Sequence, residues 1–263
     1  GSVFSGFGKF IILALIQVGG LGIMTLSTLF LLLIRQRPGL TGQIVIQDTY
    51  THSRERKLTE ILKDVVLFTL VIETIGAIII FFVFFSEYGT ENALILAVFH
   101  SVSAFCNAGF SLFDNSFVGY RENWILNITA SLLIITGGIG FLVLSELKQK
   151  ISFKYPTWSR LSLHSKLVLS TTIVLLVTGT LFILLLEWNN TLAPLPMQGR
   201  FLSAFFQSAT TRTAGFNTLP IGNMANETLF ILILFMFIGA SPGSCGGGIK
   251  TTTMATLIVM GMA

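Results

Sequence analysis

His100-Ser101-Val102-Ser103-Ala104-Phe105-Cys106-Asn107-Ala108-Gly109-Phe110-Ser111 decides how this chain reads. The apolar segment leading into it, Ala93–Phe105, would be about 20 Å long as a helix, at ~1.5 Å per residue. That is too short for a hydrocarbon layer about 30 Å thick. It then runs into Cys106–Ser111, where Asn, Gly and Ser mark a loop. A second short segment, Phe201–Ala209, runs the same way into Thr210-Thr211-Arg212-Thr213-Ala214-Gly215-Phe216-Asn217. A short helix that enters a membrane and returns as an extended loop leaves backbone groups unpaired. This is tolerated only where the loop is buried in protein or lines a watery cavity.

Composition establishes the membrane. The chain has 263 residues, of which 52% are apolar and 11% charged, and its mean hydropathy is +0.81. An ordinary soluble domain carries roughly 25% charged residues. A soluble enzyme, a disordered chain and a disulfide-stapled chain are all excluded. The net charge of +4 reflects the positive-inside bias of membrane proteins rather than a nucleic-acid partner. Cys106 and Cys245 lie far apart in sequence without C-x-x-C spacing, so they indicate neither a metal site nor a disulfide framework. The chain opens on Gly1 and stops inside an apolar run, and reads as a piece of a longer polypeptide.

Working outward, spans are expected over Phe10–Ile34, Val65–Phe85, Trp124–Ser145 and Leu167–Leu186, with another starting at Leu229–Ile238. That last one is interrupted by Gly239-Ala240-Ser241-Pro242-Gly243-Ser244-Cys245-Gly246-Gly247-Gly248-Ile249-Lys250. The polar connections 35–64 and 146–166 hold 11 of the 16 basic residues, which makes them cytoplasmic. Segment 86–123 carries Glu87, Glu91, Asp114 and Glu122 against Arg121 alone. The short segments and their loops therefore belong on the outer side.

The pattern repeats. Span, short segment, Ala-Gly-Phe loop and Gly-rich span occur at 65–145 and again at 167–262, with the Ala-Gly-Phe elements 106 residues apart. The division expected is 1–57, closing helix of a first unit with its cytoplasmic loop; 58–160, a second unit; and 161–263, a third. The fold class is an all-α polytopic membrane protein of helix–pore-loop–helix units around a central ion pore. Loops of this kind build cation filters, because backbone carbonyls can replace an ion's hydration shell. The short helix presents the negative end of its dipole to the loop, and Gly109 and Gly215 permit φ > 0. The alternative is a re-entrant loop that only fills space between helices. Its occurrence twice, at equivalent repeat positions, speaks against that.

These residues resemble a known family. His100–Ser111 is similar to the second pore loop of the Trk/Ktr/HKT potassium transporter superfamily, and Thr210–Asn217 to the third. Phe237–Ser244 with Gly246–Thr251 resembles the broken second helix of the third unit. Gln17–Gly22 and Thr136–Gly140 match the Gly-rich second helices of units one and two. Ser162–Leu167 leans towards the Ktr-type membrane subunit. The resemblance implies four units around one pore. It makes Asn107, Ala108, Gly109, Thr213, Ala214 and Gly215 filter backbone binding K⁺, the transported ion, with no other metal or cofactor. It makes Gly239, Gly243, Gly246, Gly247, Gly248 and Lys250 an intramembrane gate. It also implies potassium uptake across the plasma membrane (the bacterial inner membrane), a homodimer in the lipid bilayer, and a cytoplasmic nucleotide-binding regulatory ring. The first pore loop and the fourth unit are not in this sequence. A sodium-permeable member of the superfamily is the nearest alternative.

One motif suggests other chemistry. Gly239-Ala240-Ser241-Pro242-Gly243 matches G-x-S-x-G, the hydrolase nucleophile elbow, which needs a strand before it and a helix after. An intramembrane serine hydrolase using Ser241 is therefore the rival from another class, and the chain is read as not an enzyme. Gly243–Lys250 fails the phosphate-loop spacing because Ile249 separates Gly248 from Lys250. Among lone residues, Glu73 is expected to bond the adjacent pore helix, Arg212 to brace its loop, Cys106 to pack behind the filter and His100 to cap or pack the pore helix. Lys250 is expected to serve the gate rather than reach to the interface, and His52 to sit in a solvated loop. N-x-[ST] triplets at Asn127, Asn189 and Asn226 are chance matches.

Overall fold

The computed structural model describes residues 4–22, 58–150 and 157–262. Among them the chain is all helix, loop and turn, with one isolated backbone pairing between Ile238 and Ile249. Helix α1 (Gly6–Gly20) is followed by α2 (Leu58–Phe105), α3 (Trp124–Ile139), α4 (Phe141–Lys150), α5 (Thr157–Arg160), α6 (Leu163–Glu187), α7 (Met197–Thr210), α8 (Asn226–Phe237) and α9 (Thr251–Met262). This is a helix-rich polytopic membrane fold. Among the described residues two helices are long and apolar enough to cross a membrane, α2 over Lys63–Phe105 and α6.

Helix α2 is two helices in one. Gly89, at φ 71° and ψ 173°, turns the chain between the expected span and the expected short segment. The arms lie side by side, since the Ser101 hydroxyl donates to the Glu73 carbonyl (2.7 Å) and the Phe84 and His100 rings approach to 5.9 Å. In the next unit α6 and α7 do the same, with the Ser208 hydroxyl donating to the Leu176 carbonyl (2.9 Å). In both pairs a glycine makes room for the serine. A Cβ at Gly76 would lie 2.6 Å from the Ser101 oxygen, and one at Gly179 would lie 2.4 Å from the Ser208 oxygen. Each serine thus bonds the carbonyl three residues before its glycine.

The expected single span Trp124–Ser145 is corrected by the structure. It breaks at Gly140 (φ 97°), and α4 leaves α3 at 99°. The break needs a glycine, both for its left-handed φ and because a side chain at Gly140 would meet the Pro242 carbonyl oxygen at 2.5 Å. Beyond the bend, Glu146 accepts from the Ser162 backbone N–H (2.8 Å) and hydroxyl (2.7 Å) and from Lys150 (2.5 Å), which ties α4 to the start of α6. The expected span Phe10–Ile34 begins as α1, and residues 23–34 lie outside the described residues, as does His52.

An aromatic core joins the two units on the loop side. Phe117 stacks on Phe216 (4.9 Å between centroids, 3° between planes) and packs edge-on against Phe206. His100 stacks on Phe113 at 4.9 Å. The spans themselves turn large apolar side chains outward, among them Leu185 at 75% exposure and Phe82 at 70%.

Candidate functional site

The two short helices end on loops of the same backbone shape. Asn107 and Thr213, one repeat apart, both take left-handed φ (51° and 66°), although neither is glycine. Gly109 and Gly215, again one repeat apart, do so at 72° and 88°. A left-handed φ costs most L-residues roughly 1–2 kcal/mol, with Asn among the exceptions, so Thr213 bears a strain that Asn107 largely escapes. The loops are neighbours. A Cβ at Gly109 would lie 2.3 Å from the Ala214 carbonyl oxygen and 2.8 Å from the Gly215 Cα. Further out, the Phe117 N–H donates to the Asn217 carbonyl (3.0 Å) and the Asn217 N–H to the Ser116 hydroxyl (3.2 Å). A cavity of about 630 Å³ opens above, lined by Gly109, Ser111, Asp114, Gly215 and Asn217 among others.

His100 holds the first loop in place. Its Nε2 accepts from the Leu112 N–H (3.2 Å), so Nδ1 carries the proton and donates to the Leu96 carbonyl (2.8 Å). Nε2 is also 3.0 Å from the Ser111 hydroxyl. The packing role expected for His100 is thus joined by clamping of the loop's return.

Below the loops lies the Gly-rich interruption of the last unit. Its arms pair with each other: the Gly239 N–H donates to Ile249 (3.0 Å), that of Ala240 to Gly247 (3.0 Å), and that of Ile249 to Phe237 (3.1 Å). Gly239 has no room for a side chain, since a Cβ there would sit 1.9 Å from the Gly247 carbonyl oxygen. The interruption also docks on the break of the preceding unit. The Ser241 N–H bonds the Gly138 carbonyl (3.0 Å), the Cys245 N–H bonds that of Gly137 (3.1 Å), and the Phe141 N–H bonds that of Gly243 (3.0 Å). Its tip reaches the filter candidates. The Gly247 N–H donates to the Thr213 hydroxyl (3.1 Å), and a Cβ on Gly246 would lie 2.8 Å from that hydroxyl and 3.3 Å from the Asn107 amide nitrogen. The Lys250 ammonium donates to the Gly246 carbonyl (2.9 Å). The structure therefore brings Asn107, Ala108, Gly109, Thr213, Ala214 and Gly215 together, with Gly239–Lys250 directly beneath.

The chain belongs to the TrkH cation transport protein family. The family model, described as "Cation transport protein", matches residues 2–263. The Ktr system potassium uptake protein B of Bacillus subtilis (strain 168) is 36% identical over 260 residues, covering 98% of this chain and 57% of that protein. Its namesake in Vibrio alginolyticus is 37% identical over 261 residues, covering 97% and 56%. The potassium/sodium uptake protein NtpJ of Enterococcus hirae is 34% identical over 253 residues, covering 96% and 55%. The crystal structure of the potassium transporter TrkH from Vibrio parahaemolyticus matches at a TM-score of 0.72 and 20% identity, over 97% of this chain and 49% of that one; at that identity the likeness is one of fold. The chain spans about half the length of the curated relatives it matches.

Against this family background the remaining candidates fall into place. Ser241 is fully buried and its hydroxyl pairs with that of Thr251 (2.9 Å). Its segment follows a helix rather than the strand a nucleophile elbow requires, and the relatives are named as transport proteins. Glu73 meets the end of the pore helix, accepting from the Cys106 thiol at 3.7 Å. Asn127 is buried and donates to the Tyr120 and Asn123 carbonyls (2.7 Å each), which leaves its amide inaccessible to modification. The bracing expected of Arg212 is not what its guanidinium does: all three nitrogens lack a hydrogen-bond partner among the described residues, in a residue only 2% exposed. Backbone bonds close that loop instead, from the Arg212 N–H to Ala209 (3.3 Å) and the Ala214 N–H to Thr210 (3.0 Å). Sequence reasoning missed the Ser101–Gly76 and Ser208–Gly179 contacts; two small residues facing each other across helices are the signal that could have found them. It also missed Glu187, a buried carboxylate that accepts from the hydroxyls of Thr228 (2.6 Å) and Thr191 (2.7 Å), the Asn190 amide (2.9 Å) and the Ala225 N–H (2.9 Å).

Proposed function

We propose that this chain forms about half of the conduction pathway of a potassium uptake protein, with K⁺ held by backbone carbonyls around Gly109 and Gly215 and gated by Gly239–Lys250. The observation that carries the reading is the doubled left-handed geometry at Asn107 with Gly109 and at Thr213 with Gly215. It aligns two carbonyl-bearing loops beneath one cavity. Carbonyl dipoles select and pass a cation without a charged side chain at the filter. The interruption sits where it obstructs an ion leaving the filter, its tip bonded to Thr213 and its Lys250 charge folded back on Gly246. Conduction then requires the Gly246–Gly248 stretch to withdraw.

The units assigned are 1–57, 58–160 and 161–263. The pathway lies in the plasma membrane, the bacterial inner membrane, with 35–64 and 146–166 on the cytoplasmic side. A homodimer docked on a cytoplasmic nucleotide-binding ring is the assembly that the Ktr-type resemblance favours, and relatives named as protein B of a Ktr system support a protein that works with others. Nucleic acid has no part in it. Sodium permeation is a second reading, favoured by the relative named a potassium/sodium uptake protein.

Potassium and sodium flux into proteoliposomes holding the complete parent chain tests this, beside Gly215→Ser and Ser241→Ala. Potassium flux lost or opened to sodium in Gly215→Ser, with Ser241→Ala keeping ion flux, is expected. Flux indifferent to Gly215 would sink the reading.

A further inference from the structure

Two cysteines that the sequence places 139 residues apart are brought onto neighbouring stretches of backbone beneath the candidate filter loops. Cys106 occupies the first turn after the pore-helix arm of α2, its N–H on the Val102 carbonyl (2.9 Å). Cys245 sits on the Gly239–Lys250 loop, its N–H on the Gly137 carbonyl (3.1 Å). Gly137 is the hinge between them: a Cβ there would lie 1.8 Å from the Phe105 carbonyl oxygen, the residue before Cys106. The Cys245 side chain packs against the buried cluster that contains Cys106, and the residues that follow the two cysteines are neighbours too, since a Cβ on Gly246 would lie 3.3 Å from the Asn107 amide nitrogen. Both cysteines are free. Cys106 is buried and Cys245 half-buried, so a small reagent reaches Cys245 first. Glu73, an acceptor for the Cys106 proton at 3.7 Å, completes the group.

We infer that Cys106 and Cys245 form an oxidation site whose disulfide fastens the gate loop to the end of the unit-two pore helix and holds the pathway closed. This rests on the gate reading given above. The co-reactant is a small organic disulfide, R–S–S–R. The Cys245 thiolate attacks one of its sulfurs, forming a mixed disulfide and releasing R–S⁻, which takes up the proton that Cys245 lost. Cys106 passes its proton to Glu73 and attacks the Cys245 sulfur, breaking the mixed disulfide and releasing a second R–S⁻. That thiolate recovers the proton from Glu73. The sum is two protein thiols and R–S–S–R giving one protein disulfide and two R–SH, with two electrons passing from the protein to the reagent. Thiolate attack at sulfur is the general route of such exchange. The bond demands Cα atoms within about 7 Å, so the loop is held to its docked position when the disulfide is present.

The test uses the complete parent chain in proteoliposomes treated with 2,2′-dithiodipyridine and then with dithiothreitol. Non-reducing peptide mass spectrometry is expected to find the peptide containing Cys106 joined to that containing Cys245. Potassium flux is expected to fall at least tenfold with the reagent and to return with the reductant. In Cys245→Ser and in Cys106→Ser the ratio of treated to untreated flux is expected to stay near one. Both cysteines modified singly, with no joined peptide, would overturn the inference. So would a joined peptide with flux unchanged, and that outcome leaves the filter reading standing, since the filter is tested separately by Gly215→Ser.

Discussion

The two repeats that begin with α2 and with α6 are built to one plan and differ at the helix that follows the candidate filter loop. In unit two the helix breaks at a single residue, Gly140, and goes on as α4 at 99°. In unit three the corresponding helix opens at Ile238 into an excursion that rejoins helix only at Thr251. The first break gives the second its foothold, because Gly137, Gly138 and Phe141 supply the backbone groups that the excursion bonds. A broken helix normally exposes unpaired carbonyls, which hydrocarbon does not tolerate. Here two breaks face each other and satisfy one another. The two repeats thus differ at this helix while their loops share one backbone shape.

The sharpest way to break the comparison is Gly137→Ala. The added methyl would meet the Phe105 carbonyl at 1.8 Å, and overpacking at such a site costs about 1–3 kcal/mol or more. Loss of folded protein on size-exclusion chromatography is expected. Near-normal yield would mean that the helix and the pore loop are not in register as described.

The candidate filter glycines come next. Gly109→Ala strains φ and collides with the other loop at 2.3 Å, whereas Gly215→Ala strains φ and meets its nearest neighbour, the Gly109 Cα, at 3.2 Å. Left-handed strain of ~1–2 kcal/mol alone is worth about tenfold. Potassium flux is expected to fall about tenfold in Gly215→Ala and further in Gly109→Ala. Equal losses would show that the two loops are not packed unequally.

A smaller contrast lies at the outer ends of the spans. Glu187→Gln removes the charge and turns one of two buried acceptor oxygens, one serving Thr191 and Asn190 and the other Ala225 and Thr228, into a donor facing donors, and bonds to a charged group are worth about 1.5–3 kcal/mol. In unit two Tyr120 donates to Glu87 (2.5 Å) at the exposed rim, so Tyr120→Phe is expected to cost about 0.5–1 kcal/mol. Thermal unfolding in detergent should rank Glu187→Gln well below Tyr120→Phe. The smallest effect tests likeness rather than difference. Ser101→Ala and Ser208→Ala are each expected to cost about 1 kcal/mol, and unequal shifts in unfolding temperature would mean that the two helix pairs are not equivalent.

Much of this was legible in the sequence because short apolar segments and Gly-rich loops have few physical uses inside a membrane. Ala93–Phe105 and Phe201–Ala209 were too short to span, and both end on filter-type loops. Left-handed φ at Gly109 and Gly215 follows from residue type and Asn107 tolerates it, whereas the β-branched Thr213 gives no such signal in the sequence. The 99° bend at Gly140 was hidden because a glycine in an apolar run is compatible with a straight helix, and the Pro242 carbonyl that packs against the break lies about a hundred residues away. Cys106 and Cys245 looked unrelated for the same reason: spacing carries no information about loops that meet across a repeat. Arg212 misled because a guanidinium usually finds acceptors close in sequence, and this one is turned towards Gly138, where a Cβ would stand 3.9 Å from it.

The contacts that seat the excursion on unit two are main chain to main chain: the amides of Ser241, Cys245 and Phe141, and the carbonyls of Gly137, Gly138 and Gly243. Changing a side chain does not delete such a bond, so chemistry that edits the backbone itself, an amide replaced by an ester at Ser241 or Cys245, is the natural instrument for loosening it. The same bonds make those amides a clock. Each undocking exposes the Ser241 and Cys245 protons to solvent together, and their deuterium uptake counts the openings one molecule makes while no ion is flowing.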